Sequence, residues 1–109
     1  MPELIRLQIT KIAGAAGPHL LVTAGVHGDE FTSMVAVQQL AKRVRADELR
    51  GRLTLVPVVN EAAYLRGERT AEDNLDLARV CPGKADGSVT ERTAFALSRL
   101  IRESDYYID

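Results

Sequence analysis

Residues 19–24 (HLLVTA) form a nearly continuous apolar run that ends abruptly at a glycine and passes into the turn-like segment GVHGDE. A strand wetted on one face alternates apolar and polar residues. A run without alternation belongs to a strand covered on both faces, as in sheets with helices packed on each side. The following segment agrees: from residue 31 to about 45, Phe31, Met34, Val35, Val37, Leu40, Ala41 and Val44 recur with a helical period and one broad apolar face. Residues 52–59 (RLTLVPVV) read as a further strand, with Pro57 near its end or at an irregularity because it cannot donate a ladder hydrogen bond.

The flanks complete the pattern. Residues 4–10 alternate, with Ile5, Leu7 and Ile9 on one side, and read as a half-buried strand. Residues 14–18 (GAAGP) have turn chemistry. Residues 60–87 are long, polar and without a period, and a loop of that length inside a compact domain is usually functional. Ser88-Val89-Thr90-Glu91 is a capping-box pattern, followed by the stripe Ala94, Leu97, Leu100 and Ile101 of a last helix. Residues 105–109 (DYYID) begin another strand. The order strand, strand, helix, strand, loop, helix, strand predicts an α/β fold: a mixed, mostly parallel sheet flanked by helices, with residues 1–109 in one domain.

Composition narrows the function classes. Fourteen basic and fifteen acidic residues leave a net charge of −1, which offers no footprint for nucleic acid or an anionic membrane. No apolar run approaches the roughly 18 residues that span a bilayer. The opening MPELIRLQIT lacks the basic and then apolar order of a secretory signal. Cys81 is alone, so neither a disulfide framework nor a thiolate cluster is expected, and the cytoplasm is the default location.

Chemistry concentrates after the buried strand. In open α/β sheets ligands gather beyond the carboxyl ends of strands, which is where Gly25-Val26-His27-Gly28-Asp29-Glu30 lies. An imidazole and a carboxylate three residues apart are both good zinc donors, and two His plus one Glu with an open position is a known catalytic zinc set. His27 and Glu30 are therefore the candidate metal ligands, although an isolated H-x-x-E is a common coincidence. His19 has no partner at ligand spacing and reads as a surface or edge histidine. Cys81 reads as a small buried apolar residue. Asp29 reads as a turn residue, and Tyr106 and Tyr107 as packing for the terminal strand. No G-x-S-x-G elbow, Walker loop or dinucleotide fingerprint occurs.

G-V-H-G-D-E after an apolar strand resembles the succinylglutamate desuccinylase/aspartoacylase family, relatives of the zinc carboxypeptidases. The resemblance continues through Val56-Pro57-Val58-Val59-Asn60, the loop with Gly67 and Arg69, Asp76-Leu77-Ala78-Arg79-Val80-Cys81-Pro82-Gly83 and Gly87-Ser88-Val89-Thr90-Glu91-Arg92. It runs from about residue 20 to 109, with gaps in the loop. It implies a zinc carboxypeptidase-like fold, Zn2+ as cofactor, and hydrolysis of a small N-acyl amino acid or similar carboxylate-bearing amide. His27 and Glu30 fall on the first two zinc ligands. Arg69, with Arg66 as the alternative, falls on the arginine that polarises the scissile carbonyl, and Arg79 on the arginine that holds the substrate carboxylate. Ala78 stands where many members have an asparagine that helps bind that carboxylate, Glu61 replaces a common proline, and Cys81 occupies an often aromatic place.

In the family the third zinc ligand and the general base lie further along the chain. A truncated catalytic domain is therefore expected, with an open sheet edge that invites self-association into a homo-oligomer. Two other readings stand beside the deacylase: a carboxypeptidase-type peptide hydrolase, and a non-catalytic α/β module whose glycine turn binds a small anion or a partner.

Overall fold

A computed structural model describes residues 5–109 of the chain. Four strands make one sheet: β1 (Thr10–Ala13), β2 (Ala15–Thr23), β3 (Arg50–Val56) and β4 (Tyr106–Ile108), in the spatial order β1-β3-β2-β4. β3 and β4 both run parallel to β2, while β1 runs antiparallel to β3. The mixed, mostly parallel sheet is thus as expected. Helices α1 (Phe31–Arg43) and α4 (Val89–Glu103) provide the two crossovers, from β2 to β3 and from β3 to β4.

The two helices cover opposite faces, which accounts for the unbroken apolar run in β2. Leu21 packs with Val56, Leu77, Ala94 and Leu97 on the α4 side, whereas Leu20 and Val22 pack with Met34, Val37, Leu53 and Leu55 on the α1 side. Leu21, Leu55 and Val56 have no exposed surface. β2 lies between the strands that the two crossovers reach, β3 on one side and β4 on the other. The carboxyl end of such a strand opens a crevice in which α/β proteins bind ligands.

Several local expectations are corrected. Among the described residues, regular strand structure at the amino end is confined to β1, and residues 5–9 of the expected strand 4–10 carry none. Leu4 lies outside the described residues. The alternation of Ile5, Leu7 and Ile9 reflects an extended segment lying along α4, where these residues share a groove with Ala96 and Leu100. Only Gly14 of GAAGP lies between strands. Gly17 and Pro18 extend β2 across a register irregularity against β3, where the missing N–H of proline breaks no regular ladder.

The supposed loop 60–87 contains two short helices, α2 (Glu61–Arg66) and α3 (Leu77–Val80). Six and four residues are too few to display a helical period in a window of about 11–18. Pro57 directly follows β3, as its missing donor requires. The α4 start is as read, with Glu91 Oε1 accepting from Ser88 N–H at 3.1 Å.

His19 is half-buried and not a free surface residue. Its Nδ1 donates to the Glu103 carbonyl at 3.1 Å and its Nε2 lies in hydrogen-bond contact with Thr54 Oγ1 at 2.7 Å, tying the end of α4 to β3. Cys81 is exposed, contrary to expectation, because α3 ends at Val80 and turns it outward. Tyr106 is also largely exposed, and Tyr107 packs only in part, its hydroxyl meeting Thr23 Oγ1 at 2.9 Å. No helix among the described residues is long and apolar enough to cross a membrane.

Candidate functional site

The turn after β2 is held in place by its neighbours before any ligand is considered. Val59 N–H donates to the Ala24 carbonyl and Asn60 N–H to the Gly25 carbonyl, at 2.9 and 2.8 Å. Gly25 adopts φ +73°, a left-handed conformation that glycine takes without steric cost. Asn60, buried at 1% exposure, caps α2 by accepting from Ala63 N–H. Gly28 packs directly on the backbone of α2: a Cβ there would stand 2.3 Å from the Ala63 carbonyl carbon, and its N–H donates to the Arg69 carbonyl at 3.2 Å. The glycines flanking His27 therefore serve two separate needs, a backbone turn and a close approach.

This scaffold presents His27 and Glu30 on the same side. His27 Nδ1 lies 3.2 Å from Glu30 Oε2, and His27 Nε2 lies 2.9 Å from Asp76 Oδ1. Asp76 is the residue that the sequence reading passed over. It caps α3 by accepting from Ala78 N–H at 3.0 Å while the same oxygen receives the imidazole. An acidic residue at the start of the D-L-x-R segment was the available signal, but nothing in one dimension connects it with His27, 49 residues away.

Both candidate arginines converge on the other oxygen of Asp76. Arg69 Nη2 lies 3.6 Å from Oδ2 and Arg79 Nε lies 3.8 Å from it. The Arg79 side chain is 85% exposed and free to meet a ligand. Arg66 points elsewhere, onto Glu68 and the Thr70 carbonyl, so Arg69 is the arginine the fold brings to the histidine. The Asp76 carboxyl is held below the usual carboxylate range, first by the His27 hydrogen bond, with the Ala78 N–H and the charges of His27 and Arg69 adding to it against the effect of burial.

A neutral imidazole has one N–H. Asp76, ionised, can only accept, so Nε2 carries a proton; in the neutral ring an Nδ1 lone pair then faces the Glu30 carboxylate, and in the doubly protonated ring Nδ1 donates to it. Two acceptors stand at 3.2 Å only with a cation between them or a second proton on the ring. Zinc fits the donor pair: tetrahedral zinc with bonds of about 2.05 Å holds its ligands about 3.3 Å apart. Orientation of a ligating histidine by a carboxylate on its other nitrogen is the usual second contact of such sites. Among the described residues no set of three or more His, Cys, Asp or Glu side chains is placed to hold an ion.

Residues 16–109 match the succinylglutamate desuccinylase/aspartoacylase catalytic domain. The chain is 39% identical over 107 residues to the N-alpha-acetyl-L-2,4-diaminobutyric acid deacetylase of Halomonas elongata, covering 96% of this chain and 31% of that protein. It superposes on the succinylglutamate desuccinylase/aspartoacylase of Rhodobacter sphaeroides with a TM-score of 0.87 and 33% identity, over 94% of this chain and 32% of that one. On the product-bound ectoine utilization protein EutE (DoeB) of Ruegeria pomeroyi the TM-score is 0.84 with 39% identity, over 91% of this chain and 31% of that one. The chain thus spans about a third of the length of these relatives.

Proposed function

The chain belongs to the succinylglutamate desuccinylase/aspartoacylase family, and from that premise we propose that it forms the amino-terminal part of a zinc-dependent deacylase that hydrolyses the amide bond of an N-acyl amino acid. The observation that carries the reading is His27 held between two carboxylates, with Asp76 on Nε2 and Glu30 beside Nδ1. His27 and Glu30 would hold the zinc, and the third ligand and general base would come from outside the described residues. When bound, zinc supplies a water of lowered pKa and polarises the acyl carbonyl.

The chain's own residues account for the rest. Arg79 receives the substrate carboxylate, with a planar fork suited to bidentate contact. Arg69 sets positive charge beside the carbonyl as an oxyanion develops. The two arginines balance the charges of Asp76 and Glu30, so a divalent cation added to these four groups leaves them net positive and suited to an anionic substrate. Gly28 and Asn60 keep these groups in register through backbone contacts. Activity toward an N-acetylated amino acid in the Halomonas relative supports this substrate class. The proposal places the enzyme in the cytoplasm, where an unpaired Cys81 stays reduced.

The test is metal content and deacylation by the whole protein that carries this segment. One zinc per chain and hydrolysis of N-acyl amino acids are expected, with both lost on His27→Ala. Arg79→Ala should keep the zinc and lose roughly ten- to a hundredfold in kcat/KM for substrates with a free carboxylate, the cost of one charge-assisted pair. Equal use of free and amidated substrates by the wild type would remove the role of Arg79. Full activity of the protein stripped of metal would refute the zinc reading.

A further inference from the structure

Between Arg69 and Asp76 the chain is anchored by a carboxylate that the reaction itself does not need. Asp73 Oδ2 accepts from Ser88 Oγ at 2.6 Å and from Thr90 N–H at 2.9 Å, and Oδ1 accepts from Thr90 Oγ1 at 2.7 Å and from Leu75 N–H at 3.3 Å. Four donors fill the roughly four lone-pair sites of a carboxylate. Burial alone would raise its pKa, but the hydrogen bonds from Ser88, Thr90 and Leu75 outweigh it and hold Asp73 ionised below the usual range. Three of the four donors belong to the first turn of α4. Thr90 N–H is one of the helix's free amides, and a negative charge is favoured at that end. The fourth, Leu75 N–H, belongs to the loop itself.

Asp73 is placed where it can govern the site. The Arg69 carbonyl is pinned to Gly28 N–H. Leu77 is sunk in the core against Ala94 and Leu97. The stretch between these pins contains no helix or strand, and it reverses at Asn74, whose φ is +58°. The path from Arg69 to Asp76 and Arg79 is therefore set by side-chain contacts and not by a backbone ladder. Asp73 supplies the contact to α4, whose own position is fixed by Thr90, Ala94 and Leu97, all at 2% exposure or less.

We propose that Asp73 is a positioning residue for the deacylation: by bolting the loop to the start of α4, it holds Arg69, Asp76 and Arg79 at their working distances from His27. The proposal rests on the function proposed above. It differs from a helix-capping role, which would contribute to stability and leave the arginines in place without it.

The experiment uses the whole protein with Asp73→Asn, Thr90→Val and Thr90→Ser. Asp73→Asn presents an amide N–H to donors, and Thr90→Val removes one hydroxyl while retaining the backbone donor. Thr90→Ser keeps that hydroxyl and serves as the rescue. The expected result for Asp73→Asn is unchanged zinc content, a KM for carboxylate-bearing substrate raised roughly tenfold, and discrimination between free and amidated substrate reduced by a similar factor. Thr90→Val should show a smaller change of the same kind, and Thr90→Ser should restore the wild-type values.

Amide hydrogen exchange gives a readout that does not depend on activity. Exchange at residues 74–79 should accelerate in Asp73→Asn while residues 93–100 of α4 keep their protection. A lowered melting temperature with unchanged KM, discrimination and loop exchange would overturn the proposal and leave Asp73 as a cap. If Asp73→Asn fails to fold, the Thr90 pair decides by the same readouts. If the wild type binds no zinc and hydrolyses no N-acyl amino acid, the functional reading falls. Exchange at 74–79 then still tests whether Asp73 anchors the loop.

Discussion

Replacing Asp76 tests the link between fold and metal most directly. The carboxylate does three things at once: it accepts a hydrogen bond from His27 Nε2–H at 2.9 Å, caps α3 through Ala78 N–H, and faces Arg69 and Arg79 at 3.6 and 3.8 Å. Asp76→Ala frees the imidazole to rotate and to place its proton on either nitrogen, so part of the population turns N–H and not a lone pair toward the metal. Loss of such an outer partner typically lowers metal affinity ten- to a hundredfold, equivalent to about 1.4–2.7 kcal/mol. The lost cap adds about 1 kcal/mol of destabilisation, which a melting curve measures separately.

Asp76→Asn separates the terms. Its carbonyl oxygen can still accept from His27, but its amide group then faces two cations, so its affinity should fall between wild type and alanine. The assay is competition for zinc against a chromogenic chelator, on the whole protein, with far-UV circular dichroism to confirm folding. Zinc affinity in a folded Asp76→Ala protein equal to that of the wild type would refute the argument, since His27 would then need no orienting partner.

Three further outcomes follow from the geometry. Gly28→Ala forces a Cβ to within 2.3 Å of the α2 backbone, so helix and turn must separate; overpacking of this kind costs about 1–3 kcal/mol, read as a lowered urea midpoint, and a wild-type midpoint would show that α2 yields freely. Acid should destabilise the protein through Asp73: its folded pKa is depressed, so its contribution is present above the ordinary carboxylate pKa of 3.8 and is lost as pH falls from there through the folded value, and Asp73→Asn should flatten the fall in urea midpoint over that range. Expressed alone, the 109-residue chain should bind zinc weakly, show no turnover and self-associate along β4, where Tyr106 and Ile108 are 64% and 55% exposed; tight stoichiometric zinc in an active monomer would show that the described residues hold more of the site than two donors.

The parts legible in the sequence are those whose signal is local and repetitive. The two-sided burial of β2 followed from the six residues 19–24 and the glycine after them, α1 and α4 from their 3.6-residue stripes, and the start of α4 from Ser88 and Glu91. The shortest elements were misread because their signals are ambiguous. Ile5, Leu7 and Ile9 alternate equally well in a strand or in an extended segment against a helix, and α2 and α3 are single turns or little more, fixed by the caps Asn60 and Asp76. Cys81 was expected in the core because an apolar side chain between Val80 and Pro82 gives no sign of facing outward.

For the site, the sequence by itself determined the chemistry on offer: a histidine and a glutamate beyond a buried strand, and arginines at 69 and 79 downstream. Whether these side chains meet was decided only by the tertiary structure. His27 and Asp76 are 49 residues apart and touch because α2 and α3 pack beneath the turn, with Gly28 too small to hold them off and Leu77 buried against α4. Arg66 and Arg69 could not be distinguished in one dimension, since both fall in a stretch that reads as one loop, three residues apart. The reversal after Gly67, at φ +68°, directs one toward Glu68 and the other toward Asp76. Residue identity fixes which charges and lone pairs exist, but only the folded backbone brings groups distant in the chain within the few ångströms over which they act.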